Sequence, residues 1–270
     1  MIELFDDKLK MPDRQSSKGN QLKWEQDGVW YKADYAGYEG LAECVVCHML
    51  KSSSLDNSEF AIYSPERIRY KKSIFNGVST KSVLFDDWQI ITLERLFKSI
   101  YSESLTKSIW KIHDVDERLD FLVSSVEKMT GLHSFGEYLT KILSIDAFFL
   151  NEDRHMHNIA VLVNGQGRYE YCPIFDHGAS LLSDTTIDYP LCEDIMTLIN
   201  SAEGKTICSD FDEALDAAEK KYGNPLQFNI NKSEIMDYID GIDLYEKEVR
   251  DRVKEIVRIQ IRKYSYMINN

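Results

Sequence analysis

Residues 150–163 read LNEDRHMHNIAVLV. Within residues 153–158 stand Asp153, Arg154, His155, His157 and Asn158, and an apolar, β-branched run follows at once. A surface loop needs no such histidines, and a core has no use for Asp153, Arg154 and Asn158 together. The stretch therefore predicts a site built where a loop meets a strand. IAVLV reads as that strand, GQG as a turn and YEYCPIF as a returning strand. The return ends at Asp176, 23 residues beyond Asp153, followed by His177 and Gly178. A hairpin would bring Asn158 and Asp176 to the same end. Phosphoryl transfer from a nucleotide needs little more: an acid to orient the attacking hydroxyl, oxygen ligands for a metal, and a lysine on the phosphates. Asp153 and Asn158, five residues apart, match the acid and the amide; Asp176 supplies a carboxylate for Mg²⁺, which takes hard oxygen donors.

Working outward, QLKWEQ and VWYKADY flank Asp27-Gly28 and read as a hairpin. Residues 38–51 have helical apolar spacing. FAIYSPERIRYKKSIFNGVSTKSVLF predicts further strands, broken at Pro65 and at Asn76-Gly77. From about Asp87 the spacing turns helical: WQIITLERLFKSIYSE, DVDERLDFLVSSVEKMTG and FGEYLTKILSIDAFFL precede the β patch, and charged helical stretches follow it. The expectation is an α+β chain with a small β-rich lobe at 1–86 and a larger helical lobe at 87–270.

The first lobe must then supply phosphate contacts. Lys32 sits mid-strand among Val29, Trp30 and Tyr31, and Glu43 lies eleven residues on, in the predicted helix. A strand lysine paired with a helix glutamate is how kinases hold the lysine on the phosphates. Glu43, deeper in the helix, is preferred to Glu39, which suits an exposed first turn. Ser16, Ser17, Lys18, Gly19, Asn20 and Gln21, just before the hairpin, have the composition of a backbone nest for phosphate.

The chain has 270 residues, 43% of them hydrophobic, enough to bury a core. Its net charge of −13 disfavours direct binding to nucleic acid or an anionic membrane. No apolar run approaches a membrane span and the N-terminus lacks the layout of a signal peptide, so a cytoplasmic location is expected. Five cysteines without framework spacing fit a reducing compartment. Cys44-Val45-Val46-Cys47-His48 has the form of a c-type haem attachment pattern, but its helical apolar spacing places both cysteines on a buried face.

DRHMHN resembles the DRHxxN loop of phosphoinositide kinases and HipA-like serine/threonine kinases. The spacing from Asp153 to Asp176, the short hairpin and the D-x-G after it resemble the HipA-like group. Gly19-Asn20-Gln21-Leu22-Lys23 is similar to that family's G-x-Q-x-K phosphate loop, and YEGLAECVVCHMLK to its helix after the nucleotide lysine. The resemblance implies a bilobal protein-kinase-like fold using ATP and Mg²⁺. It implies Asp153 as catalytic acid/base, Asn158 and Asp176 on metal, Lys32 on the nucleotide and His155 near the transferred phosphate. Ser16 falls where family members carry a regulatory autophosphorylated serine, and Ser17 stands beside it. The implied partners are a protein substrate, the chain itself and, for a toxin of a toxin–antitoxin system, an antitoxin. Long HipA toxins carry a further N-terminal subdomain, whereas here the nucleotide lobe starts almost at residue 1, as in a short, minimal member.

Other readings compete. A phosphoinositide-type lipid kinase needs basic contacts for an anionic headgroup, and HGASLLSDTTIDYPLCED after Asp176 is acidic. A pseudokinase that binds nucleotide without chemistry would have no need of the whole polar set. A metal site on Asp153, His155 and His157 lacks the four-residue histidine spacing of the zincins.

Overall fold

The structure, a computed structural model, describes residues 1–10, 21–82, 84 and 87–269. By packing the chain divides into two compact units. One comprises Met1–Ser82, Asp176–Ala202 and Gln227–Asn270, the other Val83–Phe175 and Glu203–Leu226. Both are discontinuous in sequence. The C-terminal residues join the first unit because their apolar side chains bury there: Phe228 is fully buried and its backbone bridges Ser53 and Ile268.

In the first unit β1 (Ile2–Leu4), β2 (Leu9–Lys10), β3 (Lys23–Gln26) and β4 (Val29–Ala33) precede helix α1 (Glu39–Leu50), with β5 (Tyr63–Tyr70) and β6 (Ser73–Lys81) after it. They form a six-stranded sheet in the order β1-β5-β6-β4-β3-β2. The β3–β4 turn is the expected one: Asp27 and Gly28 both have positive φ, 51° and 74°, as a two-residue hairpin turn requires. Side chains alternate along β4, so Tyr31 and Ala33 enter a core with Leu4, Trp24, Ile68 and Tyr70, while Lys32 points to the other face. There α1 packs on β5 and β6.

Two expected strand breaks are absent. Pro65 lies inside β5, opposite Val78 of β6: β1 pairs only with Ile68 to Tyr70, so among the described residues no strand pairs with Pro65 on its other side. Gly77 lies inside β6, where a Cβ would stand 2.1 Å from the Lys32 carbonyl oxygen, so glycine is what permits the close approach of β4. The turn falls instead at Lys71, φ 55°.

The second unit begins with β7 (Trp88–Thr92), a correction to the helix expected for WQIIT. Ile90, Ile91 and Thr92 are β-branched and pair with the later strand, and Thr92 becomes the N-cap of α2 (Leu93–Tyr101), accepting the Arg95 N–H. Next come α3 (Leu105–Trp110), α4 (Val115–Thr130), capped by Asp114 and closed by Gly131 at φ 75°, and α5 (Phe135–Phe149). Strands β8 (Ala160–Asn164) and β9 (Tyr169–Tyr171) complete a three-stranded sheet in the order β7-β8-β9. Helix α6 (Ile195–Ser201) belongs to the first unit, α7 (Phe211–Tyr222) to the second, and α8 (Lys232–Gly241) and α9 (Lys247–Lys263) again to the first. In the second unit α7 packs on α4 and α5; in the first, α8 packs on α1 and α9. No helix of the described residues is long and apolar enough to cross a membrane.

Candidate active site

Each unit carries a polar cluster. In the first, Lys32 is held on three sides. Its Nζ donates to Glu43 Oε1 at 2.8 Å, to Asp176 Oδ1 at 2.7 Å and to the Tyr63 hydroxyl at 3.4 Å. The lysine side chain is 11% exposed and Glu43 only 2%. Burial pulls the Lys32 pKa down, but Asp176, Glu43 and Tyr63 outweigh it, and the result lies well above the ordinary lysine value. Burial pushes Glu43 up; Lys32 pulls it back only in part.

Glu39 has another task. Its carboxylate accepts the N–H groups of Tyr35, Ala36 and Gly37, closing the turn before α1. Glu43 reaches further: Oε2 accepts the His177 N–H at 2.9 Å. The Asp176 N–H donates to the Tyr63 hydroxyl at 3.2 Å. Asp176 has φ 66°, a left-handed conformation that aspartate tolerates better than most residues.

The segment after Asp176 is laid along residues 36–38. Gly37 bridges Asp184, the Tyr38 N–H donates to the Ser183 carbonyl, and the Tyr38 hydroxyl to the Leu181 carbonyl at 2.6 Å. From α9, Arg252 donates to the carbonyls of Tyr189 and Pro190, both at 3.0 Å.

In the second unit the loop 151–159 is organised by Arg154, which is buried. Its Nε meets both Asp146 carboxylate oxygens at 3.1 Å. One terminal nitrogen reaches the carbonyls of Asn158, 3.2 Å, and Phe175, 2.7 Å. A single guanidinium thus ties the start of β8 to the residue preceding Asp176. Burial raises the Asp146 pKa to about 6 against the pull of Arg154. Asn158 gives its Nδ2–H to the Asp153 carbonyl at 2.7 Å, so the side-chain oxygen is the atom of this amide with the chemistry to accept a metal ion. His155 Nε2 stands 3.8 Å and Lys205 Nζ 3.6 Å from Asp153 Oδ1.

The structure thus brings Lys32, Glu43 and Asp176 together in one unit, and Asp153, His155 and Asn158 in the other. Ser16, Ser17, Lys18, Gly19 and Asn20 lie outside the described residues; Gln21 is half-buried just before β3. Four contributors escaped the sequence reading: Tyr63, Asp146, Lys205 and the structural part played by Arg154. Only Arg154 carried a signal, its place in DRH. Among the described residues no group of three or more His, Cys, Asp or Glu side chains is arranged to hold a metal ion. An amide oxygen and a carboxylate are nevertheless the hard donors that Mg²⁺ accepts from protein, the rest coming from phosphates and water.

No protein-family model and no curated protein sequence matches the chain. Among solved structures it is similar to the proinflammatory kinase CtkA of Helicobacter pylori, with 16% identity and a TM-score of 0.61 over 97% of this chain and 95% of that one. It is also similar to a chain of the toxin–antitoxin complex of HipA, HipB and operator DNA from Shewanella oneidensis MR-1, with 11% identity and a TM-score of 0.48; it spans 62% of that chain, and the match covers 94% of this one. The likeness is one of fold. The chain has a kinase-like α+β fold, as the resemblance of its sequence to HipA-like kinases implies.

Proposed function

We propose that the chain is an ATP- and Mg²⁺-dependent protein serine/threonine kinase of the HipA-like kind, able to phosphorylate itself. The observation that supports the reading best is the Lys32–Glu43–Asp176 cluster: three residues singled out by type and spacing share one largely buried ion-pair network. Lys32, fixed by Glu43, binds the nucleotide phosphates. Asp153 orients the acceptor hydroxyl and takes its proton, with His155 beside it. Asn158 and Asp176 hold the metal ion, which when bound neutralises phosphate charge. Arg154 keeps the loop that carries Asp153 and Asn158 in place.

The test is intact-mass spectrometry after incubation with Mg-ATP and a mixture of serine- and threonine-containing peptides. Wild-type protein is expected to phosphorylate itself or the peptides, and Asp153→Asn to transfer nothing while retaining ATP binding. Equal transfer by both proteins refutes the assignment of Asp153. Nucleotide binding with no transfer to any acceptor favours the pseudokinase reading. Phosphopeptide mapping distinguishes Ser16 from Ser17, and co-purification from the native host tests for an antitoxin.

A further inference from the structure

Lys205 lies outside every stretch that the sequence reading singled out, yet the second unit holds it against Asp153. The turn that carries it is closed by the Gly204 N–H on the Ser209 carbonyl at 2.7 Å. It docks on the acid loop at two points that bracket Lys205. The Glu203 N–H donates to Glu152 Oε1 at 3.2 Å, and the Thr206 hydroxyl to the Arg154 carbonyl at 2.9 Å. Those acceptors are the immediate neighbours of Asp153, so the backbone on both sides of Lys205 is registered to the residues on both sides of the acid. Thr206 is buried, and Arg154 is itself anchored on Asp146. Lys205 Nζ and His155 Nε2 approach the same oxygen, Asp153 Oδ1, at 3.6 and 3.8 Å.

We propose that Lys205 is a positioning residue for Asp153, holding its carboxylate in the orientation needed for phosphoryl transfer and placing a positive charge beside it. The proposal rests on the kinase reading. In that reaction the acceptor hydroxyl oxygen bonds to the γ-phosphorus while the bond from phosphorus to the β–γ bridging oxygen breaks. ADP departs with the electron pair of that bond, and the hydroxyl proton passes to Asp153. A carboxylate and a phosphoryl group meeting at one hydroxyl repel each other, and a cation at one carboxylate oxygen offsets this. As a folding contact the pair counts for little: Lys205 is 43% exposed, and exposed ion pairs barely stabilise. A positioning role and a structural role therefore predict different data.

The experiment compares wild type, Lys205→Met, Lys205→Arg and Asp153→Asn. Transfer of labelled γ-phosphate to the chain or to the peptide mixture is measured at saturating Mg-ATP, together with the affinity for a fluorescent ATP analogue and Tm. Lys205→Met is expected to lower kcat about 10- to 100-fold, the range for loss of a residue that supports a reacting group rather than touching the reacting atoms, with analogue affinity within about twofold and Tm unchanged. Lys205→Arg restores most of the rate. A Lys205→Met rate within about twofold of wild type, a defect lying in nucleotide affinity, or an arginine variant as slow as the methionine one overturns the proposal while the kinase reading stands. A wild-type protein that binds the analogue but transfers no more than Asp153→Asn overturns both.

Discussion

Replacing Lys32 by methionine removes one charge and keeps most of the side chain's bulk. The lysine is 11% exposed, and it faces Glu43, 2% exposed, at 2.8 Å and Asp176, 25% exposed, at 2.7 Å. Without it two carboxylates confront each other in a buried setting, the arrangement in which loss of one partner costs about 3–5 kcal/mol. At roughly 2–4 °C per kcal/mol for a chain of this size, Tm should fall by about 10 °C at pH 8. The pH dependence makes the test sharper. Glu43 already has its pKa raised by burial, and Lys32 is what pulls it back. A carboxyl whose folded pKa is raised stabilises fully below its unfolded value and loses that contribution as pH rises through the folded value. In Lys32→Met the rise is larger, so the stability gap from wild type should widen from pH 5 to pH 8, by at most about 1.4 kcal/mol per pH unit per proton. Lys32 in the wild type stays charged across this window, since its own pKa lies well above the ordinary lysine value. Urea unfolding of both proteins at pH 5, 6.5 and 8 measures the gap. A difference below about 1 kcal/mol that does not change with pH would refute the coupling of Lys32 to the buried Glu43 and the part-buried Asp176.

Two further substitutions probe the supports of the clusters. Gly37→Ala places a Cβ 1.9 Å from the Ser183 carbonyl oxygen, and should cost about 3 kcal/mol, the upper end for overpacking, by thermal unfolding; a Tm within about 2 °C of wild type would show that the segment after Asp176 yields easily. Arg154→Met leaves Asp146 buried without its cation. With Arg154 present the Asp146 pKa stands at about 6, and without it the pKa is higher, so the loss, about 3–5 kcal/mol at pH 8, should shrink as pH falls toward 6 and the variant's carboxyl takes up a proton; equal losses at pH 5 and pH 8 would refute it.

The sequence by itself carried what depends on near neighbours. The spacing within DRHMHN, the Asp27-Gly28 turn and the apolar repeat of residues 38–51 are local signals, and the hairpin and α1 follow from them. Lys32 and Glu43, eleven residues apart on a strand and the next helix, were close enough to be paired from the sequence. Elsewhere local signals misled. Pro65 and Gly77 read as breaks because their propensities take no account of which neighbouring strand is missing or how closely one approaches. WQIIT read as helix because a stretch of five residues with three apolar ones suits either period until pairing with β8 decides it.

Tertiary structure alone decided the partners. Lys32 and Asp176 are 144 residues apart, Tyr63 and Asp176 113, and Thr206 and Arg154 52. Nothing in the residues around Tyr63 or Lys205 marks them as neighbours of a carboxylate. They became so when apolar faces far apart in the chain packed together and carried their polar residues with them. Periodicity tells which face of an element is buried, but the identity of the ion across a buried contact depends on the register between two surfaces, and that is set by packing.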